Sequence, residues 1–198
     1  MLIPSPVTLE RGTVRLEPMD LGHRAGMAEA VRDGELWRIW FTHVPAPDDV
    51  EGYIEQALRT RDEQKALPWV VRELSTGAVV GSTRLFNVEP AIDTAEIGYT
   101  WYAKRFQRTH VNATCKLLIL TQAFDVLGCQ AVRFCTDAFN LHSQRAIEAL
   151  GAHRDGLIRH HRKRRDGSVR DSVVFSILAG EWAAVRRHLE YRISRPAP

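Results

Sequence analysis

The sequence predicts an α/β sandwich in which a mixed sheet is flanked by helices, and three features lead there. Strand-like runs of alternating apolar residues give way to helical stripes, and the period switches back again towards the C-terminal side. Two turn signals, Ser75-Thr76-Gly77 and Asp166-Gly167, each join a pair of such runs into a hairpin. No repeat, low-complexity tract or linker breaks the 198 residues, so a single domain over 1–198 is expected.

Thr13 to Pro18 alternates apolar and polar residues as a first strand. Asp20 is placed to cap a helix running to about Arg32, because its carboxylate can accept from free amides of the first turn. Pro47-Asp48-Asp49 opens a second helix with Val50, Tyr53, Ile54, Ala57 and Leu58 along one face. Between the two helices, the apolar and aromatic stretch Leu36–Phe41 reads as a short helix or as a loop facing a groove. Pro68–Leu74, Ala78–Phe86 and Thr94–Ala103 are strand-like. Val111–Leu127 carries Leu117, Leu120, Phe124 and Leu127 on a helical stripe and stops at Gly128, a residue suited to the left-handed turn past a helix end. Gln130–Thr136 is a strand and Asn140–Leu150 a helix closed by Gly151. Two more strands run over Ala152–Arg162 and Ser168–Leu178, and an amphipathic stretch begins near Glu181-Trp182.

Hydrophobic residues make up 44% and charged residues 26% of the chain, the balance of a folded globular protein rather than a disordered one. No apolar run approaches the roughly 18–20 residues that span a bilayer, so no membrane partner is expected. The N-terminal residues lack the basic and apolar regions of a secretory signal. Cys115, Cys129 and Cys135 cannot all pair internally, and buried free thiols in a reducing cytoplasm are the simplest reading. A net charge of +3 is too small to argue for direct nucleic-acid binding. Its distribution is uneven: Arg159, Arg162, Lys163, Arg164 and Arg165, with His160 and His161, crowd one stretch. Such a cluster reads as a solvated hairpin tip, or as a patch that meets an anionic group.

Three segments carry a family resemblance. Glu96-Ile97-Gly98-Tyr99-Thr100-Trp101 leads to Gln107-Arg108-Thr109-His110-Val111-Asn112-Ala113-Thr114. The run from Thr136 to Ala152 contains Asn140, Ser143, Ala146-Ile147 and Leu150-Gly151 in the pattern N-x-x-S-x-x-A-I-x-x-L-G. Arg165 to Val173 is followed by Glu181-Trp182. Over about residues 13–182 the chain resembles the GNAT acetyltransferases, and within them the ribosomal-protein N-terminal acetyltransferases.

The resemblance implies a largely antiparallel central sheet in which two adjacent parallel strands, here Glu96–Ala103 and Gln130–Thr136, splay apart. It implies acetyl-CoA in that V, with CoA as product. The cofactor would lie along Thr100 and Trp101, over a phosphate loop formed by Gln107, Thr109, His110, Val111, Asn112 and Ala113, and against Asn140 and Ser143. The family's loop usually has small residues where His110 and Asn112 stand. A helix starting near Val111 would still offer free amides and a positive dipole end to a pyrophosphate. Asn112 tolerates the left-handed backbone that glycine supplies, and His110 does so less readily.

Transfer to an amine needs a group to take its proton, since an α-amine has a pKa near ~8 and a lysine near ~10.4. Glu96, beside the cleft in an apolar and aromatic stretch, is the candidate base; a strand carboxylate facing solvent and paired with an arginine is the other reading. Ser143, three residues after Asn140, is the candidate for hydrogen-bonding the departing thiolate, or else it serves only the first turn of its helix. Asn140 stands at the N-cap. Trp37, Trp40 and Tyr99, with Phe41, form a candidate aromatic wall for the acceptor or belong to the core. His43 and His110 lie nearest the cleft, but no histidine has cysteines or carboxylates at ligand spacing, so no metal is expected. The acceptor reads as a protein or peptide N-terminus. A small-molecule amine remains open, as does a non-enzymatic acyl-CoA- or RNA-binding module using Arg159–Arg165. Relatives are often dimers, which leaves a homodimer open.

Overall fold

In a computed structural model describing residues 5–63 and 66–194, the alternating runs become eight strands. These are β1 (Leu9–Arg11), β2 (Val14–Pro18), β3 (Ala66–Glu73), β4 (Ala78–Glu89), β5 (Thr94–Tyr102), β6 (Ala131–Asp137), β7 (His153–Lys163) and β8 (Val169–Leu178). The helical stripes become α1 (Arg24–Arg32), α2 (Val50–Asp62), α3 (His110–Thr121), α4 (Leu141–Glu148) and α5 (Trp182–Ser194). The strands form one sheet in the order β1-β2-β3-β4-β5-β6-β8-β7. Neighbours run antiparallel except β5 and β6, which are parallel.

Helices cover both faces, so the middle strands are apolar on both sides; β3 is buried at every residue but Arg72. On one face Met27 and Val31 of α1 and Ile54 and Ala57 of α2 pack on Val70 and Trp101. On the other, Leu117 and Leu120 of α3 and Leu189 of α5 join Trp69, Leu85, Ile97 and Phe175, and Ile147 of α4 and Leu150 just after it complete that larger core. Each fully buried aliphatic or aromatic side chain there contributes about 1.5–3 kcal/mol.

Local chemistry sets most boundaries. The Asp20 carboxylate accepts from the Gly22 amide at 2.8 Å, ahead of the single 3₁₀ turn that leads into α1. At the β3–β4 turn the Glu73 carboxylate collects Ser75 Oγ at 2.7 Å and the Thr76 amide at 3.0 Å. Those bonds, led by Ser75, hold its pKa down at about 2. The helix expected to reach Leu127 regularly instead ends its α segment at Thr121 and closes through a wider π turn, Gln122–Val126. Gly128 follows with φ +76°, the left-handed stop that glycine permits. Strand β1 was not expected, since Leu9-Glu10-Arg11 offers one apolar residue and no alternation. Leu36–Arg38 forms one 3₁₀ turn within an otherwise irregular segment.

A bulge interrupts the β4–β5 pair. Ser82 faces Trp101 and Arg84 faces Gly98, so β5 carries one residue more than β4 over that span, and Tyr99 takes φ +51° to absorb it. Gly81 makes this packing feasible: a Cβ there would stand 2.2 Å from the Trp101 carbonyl oxygen, an atom of backbone that cannot swing aside. Gly81→Ala is therefore expected to destabilise the protein by about 1–3 kcal/mol in urea denaturation. A loss under about 0.5 kcal/mol, the range of a neutral surface change, would show that the β5 backbone is not held so tightly.

Candidate active site

The sheet parts between β5 and β6. They pair over three residues, Thr94 with Ala131, Ala95 with Val132 and Glu96 with Arg133, and no ladder continues beyond. Each strand stays anchored on its other side, β5 to β4 as far as Tyr102 and β6 to β8 as far as Asp137. The edge of β5 from Ile97 onward and the facing edge of β6 thus present backbone donors and acceptors to a wedge-shaped gap. Thr100 and Trp101 lie along that edge, just past the bulge. An extended amide chain fits such a gap by adding hydrogen bonds as a further strand would.

The loop after β5 ends on the N-terminus of α3. Gln107 Nε2 donates to the Tyr102 carbonyl at 2.9 Å, tying the loop back to the strand. Thr109 caps the helix: its Oγ1 accepts from the Val111 amide at 3.3 Å and donates to the Phe106 carbonyl at 2.8 Å. His110, Val111, Asn112 and Ala113 form the first turn, so α3 starts one residue earlier than expected. The left-handed residue is Arg108, with φ +61°. His110 and Asn112 therefore need no glycine-like backbone, which removes the conformational objection to them. His110 points away and shares a hydrogen bond with Thr13 Oγ1 at 3.1 Å. A helix start of this kind favours an anion through its free amides and dipole.

Across the gap, Asn140 caps α4 as expected, its Oδ1 accepting from the Ser143 amide at 3.0 Å. The Ser143 side chain is half-buried. Gln144 Nε2 donates to the carbonyls of Asp137 and Ala138, holding the turn that ends β6.

Glu96 is the last β5 residue paired with β6, so it marks the apex of the gap. Its side chain is 13% exposed, with Arg162 Nη2 at 3.7 Å, and Asn87 Nδ2 donates to it at 3.0 Å. Burial raises its pKa above the usual carboxylate value, against the opposing pull of Arg162 and Asn87. A carboxyl so placed can accept a proton nearer neutrality. Asn87 and Arg162 line a cavity of about 230 Å³ together with Arg84, Phe86, Tyr99 and Gln56.

The expected aromatic wall is divided. Tyr99 lines the cavity and packs edge-on against Phe86, whereas Trp37 and Trp40 are not part of that lining. Trp40 instead meets Phe41, Phe139 and the Arg164 guanidinium at the end of β6. The basic stretch is in large part the solvated hairpin tip expected, but some of its cations are engaged by the protein itself. A bulge between Ile158 and Arg162, with His160 at φ +52°, re-aims the strand. Arg162 turns to Glu96, Arg164 forms a buried ion pair with Asp137 at 2.8 Å, and Arg165 donates to the carbonyls of Val44 and Trp37. Arg164 is thus buried and Arg162 half-buried, while Arg159, His160, Lys163 and Arg165 stay exposed. Among the described residues, no group of three or more His, Cys, Asp or Glu side chains is disposed to hold a metal ion, and no helix is long and apolar enough to cross a membrane.

Sequence reasoning overlooked two charged residues here, Arg84 and Lys116. Each interrupts an apolar run, which was the available signal. Lys116 of α3 is 4% exposed, and its Nζ donates to Thr100 Oγ1 at 2.6 Å and Thr83 Oγ1 at 3.2 Å. The two hydroxyls also share a hydrogen bond at 2.8 Å, so the amine braces the strand from behind the bulge. Burial pushes its pKa down to about 8. Below about pH 8 the folded protein keeps a desolvated cation that the unfolded chain hydrates freely, and this costs stability. Between about 8 and 10.5 the folded amine is neutral while the unfolded one still binds its proton, so the cost is relieved as pH rises. Lys116→Met should therefore melt higher than the wild type at pH 7, with an advantage that shrinks between pH 8 and 10. Parallel melting curves across that range would contradict a buried, titrating lysine.

Comparison with known proteins matches residues 13–153 to the model of the acetyltransferase (GNAT) domain family. A T. thermophilus protein provisionally named an acetyltransferase is 33% identical, with a TM-score of 0.84 over 96% of this chain and 99% of its own. A GCN5-related N-acetyltransferase from Brucella melitensis shares the fold at a TM-score of 0.86 and 24% identity, over 98% of this chain and 88% of its own. So does a Vibrio cholerae protein provisionally named a ribosomal-protein-serine acetyltransferase, at 0.74 and 19%, over 87% and 97%. No curated protein sequence matches significantly. The parted strands, the capped α3 start behind them and the family match agree: this chain belongs to the GNAT acetyltransferases and is an acetyl-CoA-dependent N-acetyltransferase.

Proposed function

We propose that the enzyme acetylates the α-amine at the N-terminus of a peptide or protein, with Glu96 as general base. The observation that carries this reading is the position of Glu96, at the apex where β5 and β6 part and beside the cavity lined by Tyr99 and Arg162. Acetyl-CoA supplies an activated carbonyl in the gap. The acceptor amine approaches from the cavity side, and Glu96 takes the proton it loses as the new C–N bond forms. The oxygen on which negative charge grows is met by the backbone amide of Thr100, past the bulge, since that of Trp101 is directed at Ser82 of β4; a fixed donor of this kind needs no reorganisation during reaction. The Ser143 hydroxyl hydrogen-bonds the sulfur as the C–S bond breaks.

A peptide acceptor is favoured by two observations. Trp40 and Phe139, 49% and 64% exposed, touch each other and offer an aromatic surface for residues beyond the first. The Vibrio cholerae structural neighbour is provisionally named for a ribosomal-protein substrate. A small-molecule amine is the second reading, favoured by the small cavity of about 230 Å³. Turnover of acetyl-CoA with short peptides and with matched small amines separates the two.

Glu96→Gln preserves the shape of the side chain and should leave acetyl-CoA affinity unchanged while lowering kcat by roughly 10²–10⁴-fold, the usual contribution of a general base. Because the base must be ionised, wild-type activity should rise with pH through a pKa lying above the ordinary carboxylate range. The mutant should recover in part at high pH as neutral amine accumulates. Two acceptors of different amine pKa separate the enzyme's titration from the substrate's. A loss under about threefold with an unaltered profile would remove Glu96 from the chemistry.

A further inference from the structure

Arg84 is a buried cation without a counter-ion. It is 2% exposed, and no carboxylate lies within salt-bridge distance of it among the described residues. Its guanidinium sits between the rings of Tyr53, at 4.4 Å, and Tyr99, at 4.2 Å. Its hydrogen bonding is poor: Nη2 reaches the Tyr53 carbonyl at 3.5 Å, and Nε has no partner. The other buried arginines are served differently. Arg164 has Asp137, Ser168 and the Val169 carbonyl, and Arg170 has Ser172 and Cys135.

Magnitudes argue against a purely structural role. A guanidinium cannot shed its charge in a protein, and desolvating it costs several kcal/mol. A desolvated cation–π contact returns about 2 kcal/mol, so two rings and one long hydrogen bond leave the charge undercompensated. Arg84 lines the cavity beside Glu96, along with the amides of Gln56 and Asn87 and the guanidinium of Arg162. That lining contains no carboxylate of its own. Arg162 is paired with Glu96 at 3.7 Å, so Arg84 is the cation of the lining that no carboxylate meets. Arg84 lies opposite Gly98 on the neighbouring strand, and Glu96 is two residues from Gly98 on the same face. Diagonal neighbours of this kind stand about 7–8 Å apart, a gap bridged by a few bonds. The cavity, about 230 Å³, takes a group the size of one residue.

We propose that the acceptor carries a carboxylate a few bonds from its reactive amine, and that Arg84 binds it while Glu96 receives the amine. This rests on the assignment of the cavity as the acceptor site. The carboxylate has two sources, the side chain of an acidic N-terminal residue or the α-carboxylate of a free amino acid.

Calorimetry on the CoA-loaded enzyme and acetyl-transfer assays test this with matched probes: tetrapeptides beginning with Glu or Gln, and free glutamate or glutamine against their α-amides. In the wild type the charged member of one pair should bind on the order of tenfold or more tighter, the range for a buried charge-assisted contact. Preference within the peptide pair identifies the side chain, and preference within the amino-acid pairs identifies the α-carboxylate. Arg84→Met should bring the favoured ratio close to one, and Arg84→Lys should retain part of it. The wild-type comparison needs no variant, so a misfolded mutant does not spare the proposal. Equal affinities within every pair, or no binding by any charged probe, would overturn it. Acetylation of peptides without charge preference would sink this inference and keep the peptide reading; acetylation of free glutamate alone would do the reverse.

Discussion

The site depends on a sheet that opens in its middle. Parting two neighbouring strands strips each of the hydrogen bonds it would have made, and an unmet buried amide or carbonyl costs about 1–3 kcal/mol. The protein keeps the gap open by anchoring both banks elsewhere: β4 holds β5 beyond the parting, and β8 holds β6 to its last residue. The bulge at Tyr99 bends β5 away, Gly81 admits the displaced backbone, and Lys116 braces Thr100 from below. Fold and function meet here, because the exposed backbone that weakens the sheet is what an extended cofactor arm can pair with.

A second constraint joins the cofactor side to the acceptor side. Arg164 is bound to Asp137 at the end of β6 and covered by Trp40, while the adjacent Arg165 holds the carbonyls of Val44 and Trp37. One hairpin thereby pins the irregular segment after α1 against the strand that forms one bank of the gap. Removing one partner of a buried pair of this kind costs about 3–5 kcal/mol, since the other charge is left alone in a poor solvent. The same hairpin sends Arg162 to Glu96, so the position of the candidate base depends on the clamp.

Much of this was legible in the sequence, and the rest was hidden for identifiable reasons. Helix stripes and hairpin turns announced themselves, as did the Asn140 cap, because each is a local property of a few neighbouring residues. β1 was missed because three mostly polar residues carry no period. The contacts of Arg162, Arg164 and Arg165 follow from the irregular register of β7, which carries two residues more than β8 between Ile158 and Arg162, and from the turn after it, and neither leaves a mark on composition. Expecting the left-handed residue at His110 or Asn112 followed the motif; backbone geometry placed it at Arg108. Arg84 and Lys116 were written plainly as charges within apolar runs, yet which face each occupies is set by strand register and helix phase.

The central claim is that the unpaired edge of β5 and the start of α3 receive acetyl-CoA. Hydrogen–deuterium exchange with and without acetyl-CoA tests it most directly, since it reads backbone amides rather than side chains. Added protection should concentrate in residues 97–102 and 109–113, with little change in β2 or β3. Protection confined to other segments, or none at saturating acetyl-CoA, would contradict the account.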